Sequence, residues 1–293
     1  MKKKGAVVAN INVGTVTWAK SFIKSAKENG IRVTDDPYEN VHRIFIGDNI
    51  PISDILDNKR HLYFLAASSI PPSDSTDPET DEENESTNIH WADQTLVVSN
   101  SERMKLESTV PDLIGKVMVN GFPVSIKQIQ DTSLGYEKLE KSVCFLGETR
   151  GIKNIDLEVE LTQILRDIGY NAFHLSPGVV SRRKELELAG SKVVENVRGS
   201  EYWKLLSGFQ YFVSTSFYES LGVSGIEATV AGCIPIVPDN SGFRDWCPPE
   251  NRYTPNDEKH ALELIRTQNN WVECMDRVGW YDSREFFSRI NLI

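Results

Sequence analysis

Two glutamates flank a glycine-bearing turn in the second half of the chain. Glu219 and Glu227 are separated by the seven residues SLGVSGI, and the apolar run QYFVSTS precedes them. The small residues after Gly222 predict a helix that starts near Ser224, and the first N–H groups of a helix have no partners within it. These groups and the helix dipole favour a bound phosphate, and Gly222 has no side chain to block its approach.

The same stretch also has a purely structural interpretation. Ser224 and Glu227 have the S-x-x-E spacing of a capping box, in which each side chain bonds a backbone N–H at the helix start. A capping box does not explain Glu219, the Ser-Thr-Ser cluster before it, or the turn glycine. A phosphate on the N–H groups, with two carboxylates accepting hydrogen bonds from vicinal hydroxyls, explains all of them. The ligand with both features is a nucleotide diphosphate sugar.

Composition and charge narrow the class of protein. A chain of 293 residues with 40% hydrophobic and 25% charged residues is globular and long enough for two domains. Its net charge of -10 argues against general binding to nucleic acid or anionic lipid, although a local basic patch stays open. The four cysteines show no CxxC pair, so we expect no structural zinc. With no long apolar run, we expect no transmembrane segment and a cytoplasmic protein, with peripheral membrane attachment as an alternative.

Strand-like and helix-like segments alternate in two series, which predicts an α/β protein with parallel sheets. We assign an N-terminal Rossmann-like domain to residues 1–135, with a flexible acidic loop at 68–92 that is rich in proline, serine and acids. A polar linker near 131–140 leads to a second Rossmann-like domain at 136–275. A final helix within 276–293 is expected to pack back on the N-terminal domain.

The segment ESLGVSGIEATVAGCIPIV resembles the signature of retaining GT-B glycosyltransferases: two glutamates with seven residues between them, a small-residue helix and an xGxPIV strand. Gly232, Pro235 and Val237 match its tail. VVSNSERMKL with VMVNGFPV, SVCFLGETRGIKNIDLEVEL and NVRGSEYWKLLSGFQYFVSTS resemble other family segments in the same order, so the resemblance covers most of the chain. It implies two Rossmann-like domains facing each other across a cleft, and hexose transfer from a nucleotide diphosphate sugar with retention at the anomeric carbon.

The resemblance also implies residue roles. Glu227 would bind the ribose of the nucleotide, and Glu219 would contact the transferred sugar. Lys153 would stabilise the leaving diphosphate by charge, with Arg150 as a second cation. Ser216 and Gly14, a loop glycine of the N-terminal domain, would also contact the donor. The backbone N–H groups of Leu221, Gly222 and Val223 would hold the diphosphate.

Two departures from the family pattern concern catalysis. The family usually has arginine directly after the glycine that ends the first strand of its nucleotide domain; here Glu148 follows Gly147, and Arg150 comes two residues later. The family also often presents a histidine at the end of an N-domain strand, where this chain has Ser68 and Ser69. The donor phosphate itself, acting as base in a front-face displacement, is then the expected proton acceptor.

The donor is expected to be a UDP- or GDP-sugar, and no cofactor or metal is expected, because no DxD pair lies at a strand end. A glycan or lipid-linked glycan is the first choice of acceptor. A modified base in viral DNA or tRNA is an alternative, since EYWKLL and VSTS also resemble the tRNA-queuosine mannosyltransferases. A catalytically inactive nucleotide-sugar binding module is another, and the oligomeric state stays open.

Overall fold

A computed structural model describes residues 6–11, 16–33, 42–46, 61–65, 94–149 and 151–290. The chain forms two compact units, one of Met1–Val124 with Tyr281–Ile293 and one of Ser125–Trp280. The α/β class predicted from the sequence is confirmed, because every strand pairing between the named strands is parallel. The flexible acidic loop expected at 68–92 lies outside the described residues.

The first unit is built on a six-stranded sheet of order β2-β1-β3-β4-β5-β6. Its strands are β1 (Ala6–Ile11), β2 (Arg32–Val33), β3 (His42–Ile46), β4 (His61–Leu65), β5 (Gln94–Val97) and β6 (Val117–Val119). Its described helices are α1 (Val16–Glu28), α2 (Asn100–Thr109) and, from the end of the chain, α11 (Ser283–Arg289). Ser99 caps α2 by accepting a hydrogen bond from the backbone N–H of Glu102, 3.2 Å away.

The second unit also has a six-stranded sheet, of order β12-β11-β10-β7-β8-β9. Its strands are β7 (Leu139–Leu146), β8 (Asn171–Leu175), β9 (Lys192–Val194), β10 (Phe209–Val213), β11 (Ile234–Pro238) and β12 (Arg252–Tyr253). Its helices are α3 (Ile126–Ser133), α4 (Ile155–Asp167), α5 (Arg183–Ala189), α6 (Gly199–Ser207), α7 (Val223–Val230), α8 (Phe243–Trp246), α9 (Glu258–Thr267) and α10 (Trp271–Val278). Counted from β7, this order is that of dinucleotide-binding Rossmann sheets.

The boundary between the units lies earlier than the predicted linker. Ser125 begins the second unit, and the region 131–140 holds the end of α3 and the start of β7. The physical reason is the apolar side of α3, where Ile126 and Ile129 are buried and the helix packs against α6 and α7. The polar residues of this region predicted a linker. They are compatible with a packed helix, because only every third or fourth residue of such a helix must be apolar.

The last helices of the chain belong to different units. The helix α10 belongs to the second unit, whereas Tyr281 onward belongs to the first. There α11 packs against α1, and Phe22 contacts Phe286 and Phe287 edge-to-face with ring centroids 5.7 and 5.4 Å away. All three rings are completely buried. In the described part of the chain, no helix is both long and apolar enough to cross a membrane.

We expect Phe22→Ala to lower the free energy of unfolding of the first unit by about 3 to 5 kcal/mol, because truncating a buried aromatic leaves a cavity. Urea unfolding followed by tryptophan fluorescence and circular dichroism measures this loss. Lys27→Ala is the matched control on the same helix, since Lys27 is exposed and such a change costs within about 0.5 kcal/mol. Equal unfolding midpoints for the two variants would contradict the packing of α11 on α1.

Candidate functional site

The carboxyl ends of β7 and β10 define the candidate site. These two strands pair in parallel, and the chain runs outward from β7 through β8 and β9 and outward from β10 through β11 and β12. The strand order therefore reverses between β7 and β10, and ligands of such sheets bind outside the strand ends at this point. A small cavity lies here, and its polar lining comes from the side chains of Glu148, Lys153, Glu158, His174, Ser214, Thr215 and Ser216.

Two loops, one after each strand, are joined by hydrogen bonds at this edge. The Thr215 hydroxyl donates to the carbonyl of Lys153 over 2.7 Å, and the backbone N–H of Phe217 donates to the carbonyl of Ile152 over 2.8 Å. On the other side, the hydroxyl of Tyr253 donates to the carbonyl of Ser214 over 2.7 Å. These bonds fix the backbone on both sides of the cavity.

Lys153 and Glu219 are brought together as a salt bridge, one residue from each loop. Their side chains are only 18% and 17% exposed, so each charge needs the other as a partner. The Ser216 hydroxyl donates to the same carboxylate oxygen over 2.9 Å and is itself 3.2 Å from the hydroxyl of Ser214. Ser216 therefore orients Glu219, and its predicted contact with the donor stays a prediction.

The segment after β11 holds the turn that follows Glu219. The Ser241 hydroxyl accepts a hydrogen bond from the backbone N–H of Glu219 at 3.0 Å, and the backbone N–H of Gly242 donates to the carbonyl of Glu219 at 2.9 Å. The indole N–H of Trp246 donates to the carbonyl of Leu221 at 2.8 Å. Asn240 donates through its side-chain amide to the carbonyls of Ser216 and Phe217. Hydrogen bonds from this segment therefore fix the backbone of the turn.

The helix α7 begins one residue earlier than predicted, which removes the capping box. Gly222 is the N-cap residue with φ 76°, and no side chain makes a capping hydrogen bond there. Ser224 therefore lies inside the helix, where it cannot act as the N-cap of an S-x-x-E box. Glu227 lies beyond the first turn of this helix, in contrast to the prediction, because the first turn of α7 contains no acidic residue.

The backbone N–H groups at the start of α7 donate no hydrogen bond within the described part of the protein. These groups are the N–H groups of Leu221, Gly222 and Val223, the three that the sequence predicted to bind a diphosphate. Only glycine fits at position 222, since a Cβ there would lie 2.6 Å from Cε1 of Phe243 and the backbone is left-handed. This turn is a suitable place for an anion at a helix start.

Glu227 accepts a hydrogen bond from a residue that was not predicted from the sequence. Its Oε1 accepts a hydrogen bond from the indole N–H of Trp203 on α6, at 3.2 Å. Trp203 is buried, so the indole fixes the orientation of the carboxylate. No local sequence pattern links the two, because they lie on different helices.

Two predicted residues, Arg150 and Gly14, lie outside the described residues. Glu148, which stands where the family has arginine, is partly exposed and lines the cavity. Glu158 and His174 also line the cavity and were not predicted from the sequence. The available signal was a histidine within the apolar strand NAFHL, near the carboxyl end.

We expect Gly222→Ala to lower the free energy of unfolding by about 2 to 4 kcal/mol, because overpacking against Phe243 adds to the strain of a left-handed alanine. Gly169→Ala is the matched control: Gly169 has φ +83°, but nothing lies within 4 Å of its added Cβ. We expect that variant to cost about 1 kcal/mol. Thermal and urea unfolding of both variants measure the difference. Equal losses would mean that Phe243 does not close the turn.

Comparison with known proteins gives structural neighbours and no sequence family. No protein-family model matches the chain, and no curated protein matches it in a sequence search. A glycosyltransferase from Rickettsia africae aligns with a TM-score of 0.68 at 12% identity, covering 99% of this chain and 97% of that one. TarM of S. aureus aligns with a TM-score of 0.62 at 18% identity over 86% of this chain.

The alignment covers 54% of TarM, so the chain spans about half the length of that protein. A TarM variant was solved with fondaparinux, α-GlcNAc-glycerol and UDP. A third neighbour, described as trehalose-6-phosphate from E. coli bound with UDP-2-fluoro glucose, has a TM-score of 0.65 at 11% identity over 85% of this chain and 72% of that one. The resemblance inferred from the sequence is confirmed for the architecture: the chain has the GT-B fold of glycosyltransferases.

Proposed function

We propose that this chain is a retaining glycosyltransferase that moves a hexose from a nucleotide diphosphate sugar to an acceptor hydroxyl. The observation that carries the proposal is the turn before α7. It presents N–H groups that donate to no described residue, in the same loop as Glu219, whose carboxylate pairs with Lys153 from the loop after β7. A diphosphate combines with such N–H groups and with a lysine ammonium, and the sugar and ribose supply hydroxyls for carboxylates.

The donor contacts follow from these positions. The N–H groups of Leu221, Gly222 and Val223 receive the diphosphate, and Glu227, oriented by Trp203, accepts hydrogen bonds from the ribose hydroxyls. Glu219 accepts hydrogen bonds from the hydroxyls of the transferred sugar. Ser216 and the Ser241 hydroxyl fix the position of Glu219 before the donor arrives, which reduces the cost of ordering the site. The resemblance also assigns donor contacts to Gly14 and Arg150, and these two contacts stay predictions.

The reaction breaks the bond between the anomeric carbon and the diphosphate oxygen, and the acceptor oxygen bonds that carbon on the same face. Negative charge develops on the leaving diphosphate, and Lys153 stabilises it, since a cation aimed at developing charge lowers the barrier. The proton of the acceptor hydroxyl passes to a phosphate oxygen of the donor. The acceptor is proposed to be a glycan or a lipid-linked glycan, which is in keeping with the carbohydrates bound by the TarM variant.

A UDP-sugar is proposed as the first choice of donor, with a GDP-sugar as the alternative. Two of the structural neighbours carry UDP or a UDP-sugar in their solved complexes. The protein is also proposed to be cytoplasmic. We propose that it needs no metal cofactor, because the Lys153 ammonium supplies positive charge at the diphosphate. Among the described residues, no group of three or more histidine, cysteine, aspartate or glutamate side chains is arranged for a metal ion.

A thermal-shift panel with UDP, GDP, ADP and their sugar conjugates tests the donor site. Because a ligand of the native state stabilises it, a ligand at about 100 times its Kd adds about 2.7 kcal/mol, which raises Tm by roughly 5 to 10 °C. We expect one nucleotide to do so in the wild type and in Glu263→Ala, which changes an exposed glutamate on α9. Glu227→Ala should lose this response.

Two outcomes would contradict the donor site. One is a panel in which no nucleotide raises Tm of the wild type. The other is a Glu227→Ala variant that responds like Glu263→Ala, because the carboxylate would then contribute nothing to nucleotide binding. A Trp203→Phe variant refines the result, since it keeps the buried ring but removes the donor that orients Glu227.

The position of Glu148 favours a second candidate, an inactive nucleotide-sugar binding module. A carboxylate lines the cavity where the family has a cation, and it repels a developing diphosphate charge. Release of free nucleotide from the sugar donor separates the two candidates. For the enzyme, we expect turnover that falls about 100- to 1,000-fold in Lys153→Ala. For the binding module, nucleotide raises Tm but no free nucleotide is released.

A further inference from the structure

A histidine and a glutamate are buried together beside the candidate site. His174 is the residue before the last of β8, and Glu158 lies on α4. The ring Nδ1 lies 2.7 Å from Oε1 of Glu158, and the two side chains are 2% and 3% exposed. The other ring nitrogen, Nε2, lies 3.0 Å from the carbonyl oxygen of Gly147, the first residue after β7.

Both neighbours of the ring can only accept hydrogen bonds. An ionised carboxylate has no proton to donate, and a backbone carbonyl never has one. The two contacts of His174 are therefore both satisfied only when both ring nitrogens carry protons, as in the imidazolium ion. A neutral ring has one N–H and must lose either the bond to Glu158 or the bond to Gly147.

The environment of the ring favours this charged state. Burial by itself lowers the pKa of His174, but the hydrogen bond and the charge of Glu158 raise it, as does the Gly147 carbonyl, and the net pKa lies above its ordinary value of 6.5. Lys153 opposes the shift by repulsion. Two further charged groups face this region: Glu195, which lies beyond β9 and is paired with Arg183, and Glu148 on the lining of the cavity.

The Gly147 carbonyl belongs to the turn against which Lys153 packs. The backbone N–H of Gly147 donates to the carbonyl of Leu175 at 3.0 Å, so the turn is held from β8 on both of its polar groups. A Cβ on Gly147 would lie 3.3 Å from Cε and 3.5 Å from Nζ of Lys153. The ammonium group thus rests between the Gly147 turn and the carboxylate of Glu219, and a shift of the turn moves the surface on which the lysine lies.

We propose that His174, charged and held by Glu158, is a positioning residue that fixes the Gly147 turn and, through it, the Lys153 ammonium. The inference rests on the proposed function in so far as Lys153 contacts the donor diphosphate. The Glu158 carboxylate is a stronger acceptor than the Gly147 carbonyl, so a neutral ring keeps its one proton on Nδ1. The bond to Gly147 is therefore complete while the imidazolium persists and is lost as pH rises through the raised pKa of His174. Donor affinity falls across the same range, because Lys153 loses its support.

An NMR titration tests the hydrogen bond without any ligand. Gly147–Glu148 is the only Gly-Glu pair in the sequence, so labelling glycine carbonyls with ¹³C and glutamate amides with ¹⁵N yields one signal that reports the Gly147 carbonyl. In the wild type we expect this signal to titrate with a midpoint above 6.5, together with the ring signals of His174. In Glu158→Gln the midpoint moves to lower pH, and in His174→Gln the transition disappears. His260→Gln, which removes a histidine from α9, leaves it unchanged.

Calorimetric titration with UDP-glucose between pH 6 and 9 tests the consequence for the site. The donor diphosphate does not titrate in this range, so a pH-dependent affinity reports the protein. We expect the wild type and His260→Gln to lose affinity about tenfold across the transition, as expected for loss of a charged hydrogen bond. His174→Gln should bind weakly and nearly independently of pH, and Glu158→Gln should lose affinity at lower pH than the wild type.

Each result decides the inference. A neutral His174 ring at pH 6.5, or a Gly147 signal that titrates equally in His174→Gln, overturns the hydrogen-bond arrangement. A signal that titrates as expected beside a flat affinity profile overturns the positioning role. If UDP-glucose does not bind at any pH, UDP-glucose is not the donor, and the coupling to Lys153 is then measured from the Lys153 ¹⁵Nζ signal. Either that signal moves with the His174 titration, or the positioning role is overturned.

Discussion

The parallel pairing of β7 with β10 is the constraint on which the rest of the site depends. Val143 and Cys144 of β7 lie opposite Tyr211 and Phe212 of β10, although a whole series of helices and strands separates them along the chain. Because the strands are parallel, both carboxyl ends reach the same edge of the sheet, and the reversal of strand order leaves that edge uncovered. The two loops that follow these strands can therefore bond each other and still face a ligand.

The backbone of the turn after β10 is satisfied unequally, and this asymmetry gives the site its chemical character. The carbonyls of Glu219 and Leu221 are occupied by Gly242 and by the indole of Trp246. The N–H groups of Leu221, Gly222 and Val223 donate to no described residue. A turn whose acceptors are used internally and whose N–H groups donate to no described residue is complementary to an anion, and the dipole of α7 adds to this preference.

The charged side chains at the site are held in pairs that join separate elements. Lys153 comes from the loop after β7 and Glu219 from the loop after β10, whereas Glu158 comes from α4 and His174 from β8. Poorly solvated charges persist only when they are partnered and hydrogen-bonded, so each pair also fixes two elements relative to each other. In the proposed reaction, such an arrangement keeps the Lys153 cation in place before the donor binds, which is the condition for electrostatic stabilisation of developing charge.

The sequence by itself determined the features that depend on short-range pattern: the alternating strands and helices and the glycine turn between Ser216 and α7. Periodicity and glycine report backbone conformation directly, so these features could be predicted. Only the tertiary structure decided that Gly222 caps α7, that Trp203 orients Glu227, that Glu158 and His174 meet at Gly147, and that the second unit begins at Ser125. Each of these depends on packing between segments distant in sequence, and no local pattern encodes which distant side chain fills a given contact.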